Sequence, residues 1–352
     1  MKKIAIIGHF GGKENFFDGQ TIKTKNLELL LSGQPNLSIR RVDTYYAKRN
    51  KIKLFIDTLR ALFCCEHIFL LVSVNGMKFF LPLLHYLNRI TKKHIYHYVI
   101  GSELLELIEQ DKRKIKYLNS LDANWFEYES GTRCLQQYGV KNVVTLPNFK
   151  NITPISEVSQ YCSEKRTYQF CTFSRVMREK GITEAIETIV RINQERQAEL
   201  VHLDIYGPID QSYQEEFDQL LAMHSSCVTY KGCVDSQKSV DVLKDYYALL
   251  FPTRWAGEGV PGTIIDAFAA GLPVIATDWN ANKEIIKNMS SGIIYPSDNL
   301  DTLYDSVVWA IKNVDALNRM RVEARNQFTR YMPETILEFI LNTINKNSKN
   351  NQ

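Results

Sequence analysis

The chain has 352 residues, 45% of them hydrophobic and 23% charged, which is enough for two domains of ordinary size, each with its own core. That composition excludes a disordered chain, and the longest apolar runs, Ile68 to Val74 and Phe79 to Leu87, fall short of the ~18 residues a membrane-spanning helix needs. The formal net charge of +4 is uneven: residues 1–165 hold 24 Lys and Arg against 15 Asp and Glu, whereas residues 166–352 hold 19 against 24.

A basic first half suits an anionic partner, either membrane phosphates or a phosphate-bearing acceptor; the plain alternative is a solvated surface. No nucleic-acid partner is expected. The seven cysteines include no C-x-x-C pair. They point to a reduced, cytoplasmic compartment and to small core hydrophobes for the most part, with no metal site.

In chain order, Lys3 to Ile7 reads as a strand running into a glycine-rich turn, His9 to Gly12, which is too short an apolar run for a signal peptide. A helix from about Thr21 to Ser32, a strand Ser38 to Asp43, a helix within 50–63, a strand Ile68 to Val74, a helix within 77–91 and a strand His94 to Ile100 follow. Ala123 to Tyr128 and Asn142 to Leu146 extend the series. After a polar stretch from Lys150 to Lys165 the alternation restarts with strands Tyr168 to Phe173, Val201 to Tyr206 and Val228 to Lys231, and helices at about Thr183 to Glu195 and Tyr213 to Met223. Strands alternating with helices predict an α/β chain with two parallel, doubly wound sheets and a cleft between the domains for ligand. The boundaries read as residues 1–160, 161–330 and a terminal helix with a polar tail, 331–352, the helix apolar at Ile336, Phe339, Ile340 and Ile344.

The block from Glu258 to Gly271 is the most informative. Ala248 to Pro252 reads as a buried strand, Pro261 and Gly262 as a turn, and Thr263 to Ala270 as a helix, so Glu258 falls on a loop and Asp266 about two turns into the helix. Free backbone N–H groups at that helix start favour an anion such as a diphosphate. Val274 to Ala276 is the next strand.

This block resembles the E-x7-E signature of the family 4 glycosyltransferases, which have the GT-B architecture of two Rossmann-like domains facing across a cleft. Two departures stand out: Asp266 replaces the second Glu, and Gly259-Val260-Pro261-Gly262 replaces the usual Gly-Phe-Gly-Leu, so that Pro261 lacks an N–H for ligand. By the resemblance Glu258 holds donor-sugar hydroxyls and Asp266 the ribose, with Gly259, Gly262 and Thr263 beside the donor. Arg175 and Lys180, in a stretch similar to G-R-x-x-x-x-K-G with Ser174 in place of its Gly, would bind the diphosphate. Gly207 and Gly232 match positions close to the nucleotide, and Cys233 with Val234 would border the base. The loop Gly19, Gln20 and Thr21 would meet the donor phosphate or the acceptor, and Lys23 and Lys25 read as surface charges. On the acceptor side stand His97, Ser102 and Glu103, with a packed core role as the alternative for His97.

The expectation is therefore a retaining, metal-independent glycosyltransferase that moves a sugar from a nucleotide-diphosphate donor to a glycan or lipid-linked acceptor in bacterial surface polysaccharide assembly. No cofactor or metal is expected, because fixed cations can neutralise the leaving group and no D-x-D pair occurs. A sugar-nucleotide epimerase and a non-catalytic assembly scaffold are the rivals. The helix Met77 to Lys93, with apolar and basic residues, offers a peripheral membrane contact or a core face.

Overall fold

A computed structural model describes residues 1–14, 18–162, 167–299 and 301–349. The chain divides into two compact units: Met1–Asn151 with Gly257–Val260 and Tyr331–Gln352, and Ile152–Ala256 with Pro261–Arg330.

In the first unit, strands β1 (Lys2–Gly8), β2 (Leu37–Asp43), β3 (His67–Leu71), β4 (His94–Tyr98), β5 (Ala123–Phe126) and β6 (Val143–Thr145) form one parallel sheet in the order β2-β1-β3-β4-β5-β6. The register is direct along the central pairs, with Ile6 opposite Phe69 and Phe69 opposite Tyr96. Helices cover both faces, so the central strands are apolar throughout; Ile4 to Ile7 have no exposed surface. Rings step across one face, Phe69 to Tyr96 at 5.2 Å and Tyr96 to Trp125 at 5.3 Å between centroids. The last helix, Pro333–Lys349, closes that core through Ile336, Ile340 and Ile344 and sets Phe339 edge-on to Trp125. This helix takes in the start of the expected polar tail; residues 350–352 lie outside the described residues.

In the second unit, β7 (Tyr168–Phe173), β8 (Val201–Tyr206), β9 (Val228–Gly232), β10 (Ala248–Phe251), β11 (Val274–Thr277) and β12 (Gly292–Tyr295) pair in the order β12-β11-β10-β7-β8-β9. This is the doubly wound Rossmann order, and its reversal falls between β7 and β10. Phe170, Leu203, Ile205 and Tyr247 form the core with Ile186 and Ile189 of the helix Ile182–Arg196. The stretch after Asn151 joins this unit: Ile155 N–H donates to the Ala269 carbonyl at 3.0 Å, and the buried Arg321 guanidinium donates to the Ser159 carbonyl at 3.0 Å.

Two expectations need adjusting. The strand Ile68 to Val74 stops at Leu71, since the chain already turns at Ser73 into the helix Val74–Thr91. Only Cys65, Cys171 and Cys227 of the seven cysteines are buried, so most of them are not core residues; all seven are free thiols.

Candidate functional site

The first unit offers one group of site residues at the carboxyl ends of β1, β4 and β5. Sheet order reverses between β1 and β3, where ligands of open α/β sheets gather. There Asp18 caps the helix Gly19–Ser32, accepting from Thr21 N–H at 3.0 Å and from Thr21 Oγ1 at 2.6 Å. Thr21 is fully buried, and its hydroxyl also shares a 2.6 Å hydrogen bond with His9 Nδ1. The hydroxyl is thereby committed to the cap, which corrects its expected ligand role. Gly19 stays exposed, and Gln20 reaches the Leu71 carbonyl at 3.3 Å, the end of the neighbouring strand.

Lys23 is not a surface charge. It is 2% exposed; its ammonium donates to the Val99 carbonyl at 2.8 Å and to Glu127 Oε1 at 2.5 Å, and lies 3.6 Å from the centre of the Tyr98 ring. Burial pulls its pKa below the ordinary lysine value, and Glu127 works against that pull. The sequence did carry a signal, since Lys23 lies one helical turn before the buried Leu27 on the core stripe. Lys25, by contrast, is exposed.

The other carboxylate oxygen of Glu127 accepts from Val260 N–H at 2.7 Å. Glu127 thus ties the segment Gly257–Val260, which carries Glu258, to the end of β5. Asn148 adds a second tie, donating to the Val260 carbonyl at 3.0 Å. The fit allows no side chain at two places: a Cβ on Gly259 would stand 2.2 Å from Glu127 Oε2, and one on Gly101 (φ +68°) would stand 2.8 Å from the Gly257 carbonyl oxygen. Gly101 leads into Ser102 and Glu103, the start of the helix Glu103–Gln110, so these two residues follow directly on the contact that seats the Glu258 segment. Burial, then the neighbouring Glu106, raises the Glu103 carboxyl above its ordinary pKa. Glu258 itself is 6% exposed.

His97 belongs elsewhere. It has no exposed surface, meets Asn124 Oδ1 at 3.3 Å through Nδ1, and its pKa is lowered to about 4, chiefly by burial. The structure makes it a neutral core histidine of β4 in place of the expected acceptor-side group.

The second unit holds the remaining site residues around the carboxyl ends of β7, β8, β9 and β10. Arg175 is the second residue after β7 and is exposed. Gly207 follows β8 at φ +132°, where a Cβ would lie 1.8 Å from the Ser174 carbonyl oxygen; only glycine lets the exits of β7 and β8 touch. Gly207 N–H donates to the Gly232 carbonyl at 2.9 Å, which places Gly232 in the same group, and half-buried Val234 follows it. Lys180 sits on a short turn fixed by Arg254 N–H donating to the Glu179 carbonyl at 2.8 Å. Its ammonium lies 4.7 Å from the centre of the Trp255 ring and 5.5 Å from that of Phe251.

The helix Gly262–Ala269 begins after Pro261. Asp266 is its fifth residue, so it sits just over one turn in, closer to the start than the expected two turns. It is 1% exposed, and its Oδ1 accepts from Ser239 Oγ at 2.8 Å. Thr263 Oγ1 is buried without a hydrogen-bond partner, and Gly262 is half-buried. An exposed guanidinium, a ring-packed ammonium and a helix N-terminus within one unit make an anion site chemically reasonable. Among the described residues no group of three or more His, Cys, Asp or Glu is placed to hold a metal ion.

Sequence reading missed Glu127 and Ser239. Glu127 interrupts the aromatic run Trp125-Phe126-Glu127-Tyr128 at a strand end, which was a usable signal. For Ser239 there was none, since its partner is distant in sequence.

Residues 167–313 match the family described as Glycosyl transferases group 1. Over 87 residues the chain is 29% identical to the Escherichia coli UDP-Gal:alpha-D-GlcNAc-diphosphoundecaprenol alpha-1,3-galactosyltransferase, a stretch that covers 25% of this chain and 22% of that protein. Among solved structures, Anabaena HepE in complex with UDP superposes with a TM-score of 0.73 at 12% identity, over 98% of this chain and 100% of that one. Sucrose-phosphate synthase from Thermosynechococcus elongatus gives 0.76 at 13%, over 98% and 99%. The fold is the GT-B architecture of two Rossmann-like domains, and the second unit is similar to the group 1 glycosyltransferases over residues 167–313. The chain spans about a fifth of the length of the curated relative it matches.

Proposed function

We propose that the chain transfers a sugar from a nucleoside-diphosphate sugar to a glycan or lipid-linked acceptor in surface polysaccharide assembly, with retention of configuration and without a metal ion. The observation that carries this reading is the placement of Arg175 and Lys180 at the carboxyl ends of β7 and β10, the reversal point of the second sheet. Two fixed cations there suit a diphosphate leaving group, whose charge they neutralise as the sugar–phosphate bond breaks. The acceptor oxygen bonds to the anomeric carbon on the face that the diphosphate leaves, and the acceptor's proton passes to a departing phosphate oxygen. Glu258 positions the donor sugar, and its segment is held by Glu127 and Asn148. Asp266, fixed by Ser239, serves the ribose end.

The relatives make UDP-galactose and UDP-glucose the first donors to try. Thermal stabilisation against nucleoside diphosphates and their sugars, with and without EDTA, tests donor binding, because a ligand of the folded state raises the melting temperature. A selective shift insensitive to EDTA is expected, followed by loss of transfer in Glu258→Gln with donor binding retained. No shift at millimolar concentration with folded protein overturns the reading in favour of a non-catalytic scaffold.

A further inference from the structure

The helix Lys51–Cys64 has two apolar faces. One, through Leu54, Thr58, Ala61 and Leu62, is buried on the sheet. The other, on the far side, is Ile52, Ile56, Leu59 and Phe63, spaced so as to form one straight stripe, with Ile52 75% and Phe63 66% exposed. The helix Val74–Thr91 repeats the arrangement. Met77, Phe80, Leu81 and Leu84 face the core, while Phe79, Leu83, Tyr86 and Ile90 form an outward stripe at the same spacing, with Phe79 50%, Tyr86 54% and Ile90 77% exposed.

The two helices lie side by side. The β2-to-β3 and β3-to-β4 connections run in the same direction across the sheet, and right-handed crossovers put both helices on one face, in contact with each other. Two outward apolar stripes therefore share one surface, beyond the scattered single exposures that are ordinary. Charge frames it: residues 48–93 hold nine Lys and Arg against Asp57 and Glu66 alone, and Val74–Thr91 has no acidic residue. Lys51, Lys53 and Arg60 flank the first stripe, and Lys78, Arg89 and Lys92 the second; all six are exposed.

We propose that this face docks on an anionic phospholipid bilayer, with the stripes entering the headgroup boundary and the flanking cations meeting lipid phosphates. A second copy of the chain fits poorly, since a two-fold contact would set two strongly basic faces against each other. Bilayer docking is independent of the transfer reaction, so its test does not rest on the assignment of the site.

The experiment is flotation of the full chain with vesicles of pure phosphatidylcholine and of phosphatidylcholine with about 30% phosphatidylglycerol, together with two variants. Phe63→Ser/Ile90→Ser removes apolar bulk at exposed positions, and Lys53→Glu/Arg89→Glu reverses charge; circular dichroism confirms that both fold. Binding to the anionic vesicles at least tenfold above the neutral ones, with each variant losing tenfold or more, is the expected result. Equal partition into both vesicles, or wild-type partition by the apolar variant, overturns it. A dimer in gel filtration that the apolar variant abolishes, with no vesicle binding, assigns the face to a second copy instead.

Discussion

Replacing Glu127 by glutamine keeps the shape and an acceptor for Val260 N–H but leaves the Lys23 ammonium buried without its counter-charge. Such a charge cannot persist at any cost, because the lysine can release its proton. The penalty is therefore capped by the work of deprotonating Lys23 at the working pH: from an ordinary value near 10.5, about 4.8 kcal/mol at pH 7 and about 2 kcal/mol at pH 9. Breaking a buried pair typically costs about 3–5 kcal/mol, within the same range. Glu127→Gln should thus lose about 3–5 kcal/mol at pH 7, and the loss should shrink to about 2 kcal/mol or less at pH 9. Adding Lys23→Met should recover much of it at both pH values, since it removes the buried charge that lost its partner. Urea unfolding read by pulsed hydrogen exchange in peptides of β1 and β5 follows the first unit separately from the second. A loss below about 1 kcal/mol at pH 7, or one of equal size at both pH values, would refute the buried-ion argument.

Other expectations follow from the same geometry. Lys180→Ala should weaken donor binding tenfold or more by calorimetry while leaving the melting temperature of the free chain nearly unchanged; wild-type affinity would remove Lys180 from the site. Gly207→Ala, forced to φ +132° with its Cβ on the Ser174 carbonyl oxygen, should cost about 3 kcal/mol or more in urea unfolding of the second unit. His67 and His97 are both buried with pKa values lowered to about 4 from 6.5. The unfolded chain binds protons there before the native one does, so stability is complete above pH 6.5 and is lost as pH falls toward 4, by up to about 3 kcal/mol per histidine. His97→Gln should flatten that acid limb in denaturant melts; an unchanged slope would mean that His97 is protonated in the native state.

Much of the fold was legible because its signals are local. Apolar runs such as Ala5 to Ile7 and Leu249 to Phe251 sit in parallel strands covered on both faces, and the polar stretch after Lys150 marks where one sheet ends and the next begins. Less legible were the short helices Glu103–Gln110 and Arg113–Leu118, which span too few turns to show a period. The site was partly legible. Arg175, Gly207 and Gly232 do converge, because they leave adjacent parallel strands at the same end. Roles set by a partner distant in sequence could not be read: Lys23 is buried only because Glu127, 104 residues on, answers its charge, and Thr21 is occupied because His9 and Asp18 claim its hydroxyl.

The block read as one signature, Glu258 to Asp266, is held by two different supports. Glu258 rides on a segment that belongs to the first unit, seated by Glu127, Asn148 and Gly101, whereas Asp266 belongs to the second and is fixed by Ser239. Substitutions should therefore separate by unit even though the acids are neighbours in sequence. Ser239→Ala removes the 2.8 Å donor to Asp266 Oδ1 inside the second unit, and by the proposed roles its effect should appear in the affinity for the nucleoside diphosphate alone. Asn148→Ala loosens the segment carrying Glu258 and leaves Asp266 and Ser239 in place, so it should lower turnover while leaving that affinity unchanged. Measuring both parameters for both variants distinguishes the two supports. If each variant changes both parameters equally, the acids act as a single element, and the assignment of separate sugar and ribose roles fails.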